Sequence, residues 1–105
     1  MVLSELIEEL KAAEKKGANR VECSPSTNTY ISKVTCDGVG CYINLQVSKI
    51  CGLTLSELIK ELQSMRVGYG GDVEVACMEY EILYTEVILN KCYIKYNVGK
   101  LIQRK

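Results

Sequence analysis

Apolar residues recur along the chain with two different periods, and each period predicts one kind of element. A helical period occurs twice, at Leu3, Leu6, Ile7 and Leu10 and again at Leu55, Leu58, Ile59 and Leu62. This spacing places a single apolar stripe along one side of a helix. Most of the remaining apolar positions alternate with polar ones, which is the period of a half-buried strand.

Three strands are predicted after each helix. The alternation runs through 20–23, 29–36 and 41–48 in the first half of the chain, and through 73–77, 80–89 and 92–98 in the second. We expect the second and third strands of each half to pair as a hairpin, with turns at 37–40 and 90–91. One amphipathic helix covers only one face of three strands, so the other face needs a different cover or stays open.

The chain contains an internal repeat. Residues 3–10 return as 55–62 at an offset of 52, and seven of the eight positions are identical. Further matches are Val21 with Val73 at the same offset, and Cys41 with Cys92 at an offset of 51. A repeat of this length indicates two copies of one supersecondary unit.

The two copies, 1–51 and 52–105, define the expected architecture. About 50 residues form too small a core to be stable alone, so the units should share one core. We therefore expect an α+β fold in which two tandem α-β-β-β repeats form one pseudo-twofold domain, 1–105. The strands should pair antiparallel, in one sheet or in two packed sheets.

The second unit begins with a recognisable helix start. Thr54 is followed three residues later by Glu57, which is the pattern of a capping box. The stretch 53–62, followed by a short strand at 71–75, resembles small phage and prophage proteins. Those proteins open with a T-x-x-E-L-I-x-x-L helix, then a D-x-x-V strand and a hairpin. The resemblance implies a viral or mobile-element origin and brings no catalytic residue with it.

The composition removes several classes of activity. The 105 residues include no histidine, so Ser-His-Asp and Cys-His catalytic arrangements cannot be assembled within one chain. Thirteen basic and thirteen acidic side chains balance, which disfavours a nucleic-acid partner. The chain shows neither a signal peptide nor the roughly 18 uninterrupted apolar residues of a membrane span. We expect a cytoplasmic protein without membrane contact, in the host cytoplasm if a phage encodes it.

Six cysteines are the candidates for metal or redox chemistry. Cys23, Cys36, Cys41 and Cys51 could supply four thiolates to a structural zinc ion. In the alignment of the two units, apolar residues stand opposite Cys23 and Cys36. We therefore interpret the cysteines as core side chains and predict no metal and no cofactor. A disulfide, if one forms, should join Cys36 to Cys41 across the hairpin, although a reducing cytosol opposes it.

Tyr42 and Tyr93 are the predicted partner-binding residues. They occupy matching positions in the two units and point away from the apolar register, as Asn44 and Lys95 do beside them. Exposed tyrosines are effective anchors for a protein partner. Cross-strand packing, or burial by the other unit, is the alternative explanation for these tyrosines.

These features favour a small non-enzymatic protein-binding module, and inhibition of a host defence protein is one specific form of that hypothesis. The alternative is a small-molecule or nucleotide-binding protein that uses a pocket between the two repeats. A homodimer is also open, because an uncovered sheet face or edge strand invites self-association.

Overall fold

The computed structural model describes residues 1–25, 29–37, 40–46, 52–69 and 72–102. Within these ranges the chain forms a helix and three strands, and then the same series again. The elements are α1 (Leu3–Lys15), β1 (Arg20–Ser24), β2 (Tyr30–Cys36), β3 (Gly40–Gln46), α2 (Leu55–Tyr69), β4 (Glu74–Cys77), β5 (Tyr80–Ile88) and β6 (Lys91–Leu101). This α+β element order is the one that the periodicity predicts. The predicted continuation of the third strand through 47–48 lies outside the described residues.

The described strands form one mixed sheet in the order β1-β6-β5-β4-β3-β2. The neighbours β2 and β3, β4 and β5, and β5 and β6 pair antiparallel, as expected. However, β1 pairs parallel with β6, and β3 pairs parallel with β4, so the expectation of purely antiparallel pairing is wrong. The helix α2 carries the chain from β3 to β4, and a helical crossover of this kind returns the chain parallel to the strand it left.

A single core lies between the two helices and one face of the sheet. Leu6 and Leu10 of α1 and Leu58 and Leu62 of α2 are fully buried in it, together with alternate residues of the strands. Burial of each leucine stabilises the fold by about 1.5–3 kcal/mol relative to an exposed side chain. The helices contact each other, and the edge strands β1 and β2 also approach each other. The sheet therefore curls around the shared core.

Each helix begins against the other half of the chain. The Leu3 amide donates to the Val73 carbonyl oxygen (2.8 Å), and the Leu55 amide donates to the Asn19 carbonyl oxygen (3.2 Å). The first amides of a helix have no partner within the helix. Bonds from the other half therefore satisfy these amides, and they fix where each helix starts.

The two helix starts use different caps. In α2 the Glu57 amide donates to Thr54 Oγ1 (3.2 Å) and the Thr54 amide donates to Glu57 Oε1 (2.9 Å), which confirms the predicted capping box. In α1 the residue at the corresponding place is Val2, whose side chain has no oxygen. There the Asp72 carboxylate accepts the Ser4 amide (2.8 Å) and the Ser4 hydroxyl, so the cap comes from the other half of the chain.

A glutamate of each helix reaches a strand of the other half. The Thr85 amide donates to Glu9 Oε1 (3.1 Å), and the Val34 amide donates to Glu61 Oε2 (3.3 Å). Both amides follow an irregularity in their strand, where the pairing register shifts. Such a bulge leaves a backbone group outside the ladder, and the carboxylate satisfies it.

The two parallel pairings each join a strand of one half to a strand of the other. Val21 of β1 lies opposite Cys92 of β6, and Val75 of β4 lies opposite Cys41 of β3.

The β5–β6 turn also differs from the prediction. The turn lies at 89–90 rather than 90–91, because Lys91 still pairs with Ile88 in the ladder. Leu89 takes a φ of 58°, a conformation that favours glycine or asparagine. Its side chain is 90% exposed at the tip of the hairpin.

Candidate functional site

The sheet has an outer face on the side opposite the helices. On β6 the residues Cys92, Ile94 and Tyr96 enter the core. Because successive side chains of a strand alternate between faces, Lys91, Tyr93 and Lys95 face outward. The neighbouring strands β1 and β5 add their own outward positions. We call the residues of these three strands the outer sheet face: Arg20, Glu22, Ser24, Tyr84, Glu86, Ile88, Lys91, Tyr93 and Lys95.

Ion pairs connect the three strands of this face. Lys91 Nζ lies 3.2 Å from Glu22 Oε1 on β1, and Lys95 Nζ lies 3.7 Å from Glu86 Oε2 on β5. Lys95 also approaches Ser24 Oγ (3.4 Å) and stands 5.4 Å from the centre of the Tyr93 ring. Tyr93 is half-buried among these side chains. The predicted binding residues Tyr93 and Lys95 are thus brought together on one ordered surface.

Exposed apolar side chains border this polar row along β5. Tyr84 is 52% exposed and Ile88 is 48% exposed, both on the outer sheet face. Leu83, at the bulge, is 47% exposed, and Leu89, which follows β5 at the tip of the hairpin, is 90% exposed. We call Leu83, Tyr84, Ile88 and Leu89 the β5 stripe. The sequence did not reveal it, because strict alternation places Tyr84 and Ile88 on the same face as the buried Ile82, and the bulge between Ile82 and Tyr84 reverses that register.

Tyr42 is buried, contrary to the expectation that it is exposed. Only 5% of its surface is accessible, and it lies outside the main core cluster. A Cβ placed on Gly40 would lie 3.6 Å both from the Tyr42 hydroxyl oxygen and from Ile102 Cδ1. The chain after β6 therefore packs close to Tyr42. The alternation of side chains along β3 showed which face of the sheet Tyr42 occupies. It did not show that the segment around Ile102 approaches that face.

Asn44 is also engaged within the sheet. Its side-chain amide donates to Thr35 Oγ1 (3.0 Å) and to the Tyr42 carbonyl oxygen (3.3 Å). The strands β4 and β5 separate Asn44 and Tyr42 on β3 from Tyr93 and Lys95 on β6. At about 4.8 Å between neighbouring strands, the two pairs lie roughly 14 Å apart across the sheet. The structure therefore does not bring the four predicted residues together.

The cysteines divide into a disulfide and buried thiols. Cys36 and Cys41 lie directly opposite each other on β2 and β3 and form a disulfide, with Cα atoms 4.1 Å apart. For these two residues the interpretation as free core thiols is wrong, and the pairing is the one named for a disulfide. The disulfide also removes Cys36 and Cys41 from the four candidate zinc ligands. Of the other two, Cys23 is a buried free thiol, and Cys51 lies outside the described residues.

The free thiols of the described chain, on Cys23, Cys77 and Cys92, lie in the core, as the apolar register of the strands predicted. A hydrogen bond with the Cys77 side chain, followed by burial, raises the pKa of Cys23 well above its usual value. Burial, with a smaller effect of the Glu9 carboxylate, raises the pKa of Cys92 to about 11. Raised pKa values suppress the nucleophilic thiolate, so this environment does not activate these thiols for catalysis. The described residues hold no cluster of potential ligands arranged for a metal ion.

A cleft of about 350 Å³ lies between α1 and α2, where the two halves of the chain meet. Three lysines line it, Lys11 and Lys15 from α1 and Lys60 from α2, together with Glu14, Ser56, Ile59 and Gln63. Ile59 forms an apolar part of the lining, and most other groups are polar or charged. The cleft is the described site that corresponds to the predicted pocket between the two repeats.

Comparisons with known protein families, with curated proteins and with solved structures give no match to this chain. Only the geometry of the outer sheet face and of the helix cleft therefore indicates what these two sites bind. In the described part of the chain, neither helix has the length and apolar character that crossing a membrane requires.

Proposed function

We propose that this protein is a small protein-binding module that acts through its outer sheet face and catalyses no reaction. The β5 stripe is the observation that carries the proposal, because it holds four large apolar side chains open to solvent within seven consecutive residues. Single exposed apolar residues are ordinary on protein surfaces. Several large apolar side chains exposed together on one strand and its turn, with charged residues beside them, are typical of an interaction site.

The conformation of Leu89 supports the same site. A bulky side chain at positive φ costs the fold about 1–2 kcal/mol, and this leucine recovers none of it by burial. Strain of this kind is concentrated at functional positions. A leucine that projects from a hairpin tip is suited to insertion into an apolar pocket of a partner.

We also propose that the two halves are copies of one unit related by a pseudo-twofold axis. Several features support this: the parallel pairing of β1 with β6 and of β3 with β4, the glutamate contacts at both bulges, and the helix starts bonded to the opposite half. If the strand order β1-β6-β5-β4-β3-β2 is closed into a ring by placing β2 next to β1, exchanging the two halves leaves the order unchanged. The described sheet is open between β1 and β2, which are its two edge strands.

The biological setting of the proposal rests on the resemblance of the second unit to phage proteins. It favours a viral or mobile-element protein whose partner is a host protein, with inhibition of a host defence component as the specific form. The host cytoplasm is the proposed location. The Cys36–Cys41 disulfide is a point against that location, since disulfides persist mainly in oxidising compartments.

Site-specific photo-crosslinking in the producing cells tests the proposed function. A benzophenone amino acid at Tyr84 should give an adduct with a discrete protein. The same group at Val67, an 83% exposed position on α2, is the matched control. Absence of an adduct at Tyr84, or the same adducts at both positions, would contradict binding through the outer sheet face.

The helix cleft favours a second candidate function, nucleotide binding between the two halves. Lys11, Lys15 and Lys60 line the cleft, outnumber its one carboxylate, Glu14, and would attract phosphate groups. Binding would raise the thermal unfolding midpoint by mass action. We expect nucleoside triphosphates to raise the unfolding midpoint of the wild type, and to leave the midpoint of a Lys11→Gln, Lys60→Gln double variant unchanged. An unchanged wild-type midpoint across a nucleotide panel would exclude this function.

A further inference from the structure

We propose that the outer sheet face binds the same face of a second copy of this chain, so that the protein forms a twofold-symmetric dimer. This inference rests on the proposed function, since it uses the same site and names its partner. The partner follows from how the charged and apolar side chains are arranged on β5 and β6.

The two strands carry complementary rows. On β5, Glu86 stands between the apolar side chains of Tyr84 and Ile88, whereas on β6 the aromatic Tyr93 stands between Lys91 and Lys95. The β5 row therefore has one carboxylate and no cation, whereas the β6 row has two cations and no carboxylate. A surface with such rows side by side is complementary to itself after a rotation of 180°.

A twofold axis that runs parallel to the strands, between β5 and β6, uses this complementarity. It places β5 of one copy over β6 of the other, at the same height along the strands. Tyr84 then meets Lys95 of the second copy, which is a favourable cation–π arrangement. Glu86 lies between Lys91 and Lys95 of the second copy. Two sheets packed in this way interdigitate their side chains across about 10 Å.

Covering the face costs little in electrostatic terms. Lys91 and Lys95 already have the carboxylate partners Glu22 and Glu86 within each chain, so dimer formation leaves neither lysine buried without a partner. The chain has no net charge, and two copies therefore do not repel each other at long range. The gain comes from covering Tyr84, Ile88 and Leu89. Three strands make a small interface, for which we expect a Kd on the order of 10 µM.

Charge exchange in the purified 105-residue protein tests the dimer. In sedimentation equilibrium the wild type should shift from monomer to dimer as its concentration increases. Glu86→Lys makes the face basic and Lys95→Glu makes it acidic, so each variant alone should stay monomeric. An equimolar mixture of the two variants should recover the dimer, because unlike faces then meet. Circular dichroism establishes that both variants remain folded.

Three results would overturn the dimer: a wild type that is monomeric throughout, single variants that dimerise as the wild type does, or a mixture that stays monomeric. Val67→Lys, which adds a charge on α2 away from the sheet, is the control and should leave dimerisation unchanged. A monomeric wild type combined with a Tyr84 adduct to a different protein would remove the dimer while leaving the proposed function in place. A Tyr84 adduct to the chain itself would support the dimer.

Discussion

Single residues in the core illustrate how strongly burial controls cysteine chemistry in this protein. Cys23 and Cys92 are buried thiols whose pKa values are raised, that of Cys92 to about 11. At pH 8 a thiol with that pKa is thiolate in about one molecule per thousand. We expect iodoacetamide to leave both residues unmodified in the native protein and to modify both in urea, as measured by peptide mass spectrometry. Rapid modification of either residue in the native state would contradict its placement in the core.

Leu89 and Leu83 allow one substitution to be compared at two backbone conformations in the same segment. Leu89→Gly relieves the positive φ and removes an exposed side chain, so we expect the free energy of unfolding to rise by about 1 kcal/mol. Leu83 has no such strain, and Leu83→Gly should lower the free energy by about 0.5–1 kcal/mol through lost backbone entropy. Urea denaturation measures both. Effects of the same sign would show that the Leu89 conformation is not strained.

At the scale of elements, the helices are held in place by polar contacts with the strands of the opposite half. Glu9 Oε1 accepts the Thr85 amide (3.1 Å) and the Thr85 hydroxyl (2.8 Å) in a partly buried position. Glu9→Ala should therefore cost about 1–3 kcal/mol in urea denaturation, because both donors lose their acceptor. Glu9→Gln keeps an oxygen there and should cost less. The exposed neighbour Glu8 is the control, and an equal loss in Glu8→Ala would argue against the contact.

The helix starts should make stability depend on pH in the acidic range. The Ser4 hydroxyl and then the Ser4 amide lower the pKa of Asp72, and the Thr54 backbone and side-chain hydrogen bonds lower the pKa of Glu57. A lowered pKa in the folded state adds stability that is complete above the unfolded values, 3.8 and 4.5, and is lost as the pH falls through the folded values. The urea midpoint should therefore decrease below about pH 4.5.

The pH test needs a variant in which both caps are neutral. In an Asp72→Asn, Glu57→Gln double variant the stability at neutral pH should be lower, and its decrease on acidification should be smaller. Glu8→Gln removes a carboxylate from the exposed side of α1 and should leave the wild-type slope. An unchanged slope in the double variant would mean that other carboxylates determine the acid sensitivity.

The whole molecule shows which parts of the fold local sequence patterns can reveal. The leucine spacing predicted both helices, and Thr54 with Glu57 predicted one cap. The parallel pairing of β3 with β4 was missed, because it depends on the crossover through α2 rather than on strand periodicity. Tyr42 was misjudged for a similar reason, since Ile102 approaches it from the far end of the chain. Tyr93 and Lys95 face outward, as their strand register predicted, whereas the strained turn at Leu89 violates the residue preference on which the turn prediction relied.

The links between the two halves predict that neither half folds as a monomer on its own. Both parallel pairings join the halves, and each helix start bonds the opposite half. Chains of about 50 residues also bury too little surface to compensate for their lost entropy. We expect separately produced 1–51 and 52–105 to give collapsed ¹H–¹⁵N spectra, and an equimolar mixture to give the dispersed spectrum of the intact chain. Each fragment's mass is measured in parallel, so that a folded homodimer of one fragment is distinguished from a folded monomer. A dispersed spectrum from a monomeric fragment would contradict the shared core.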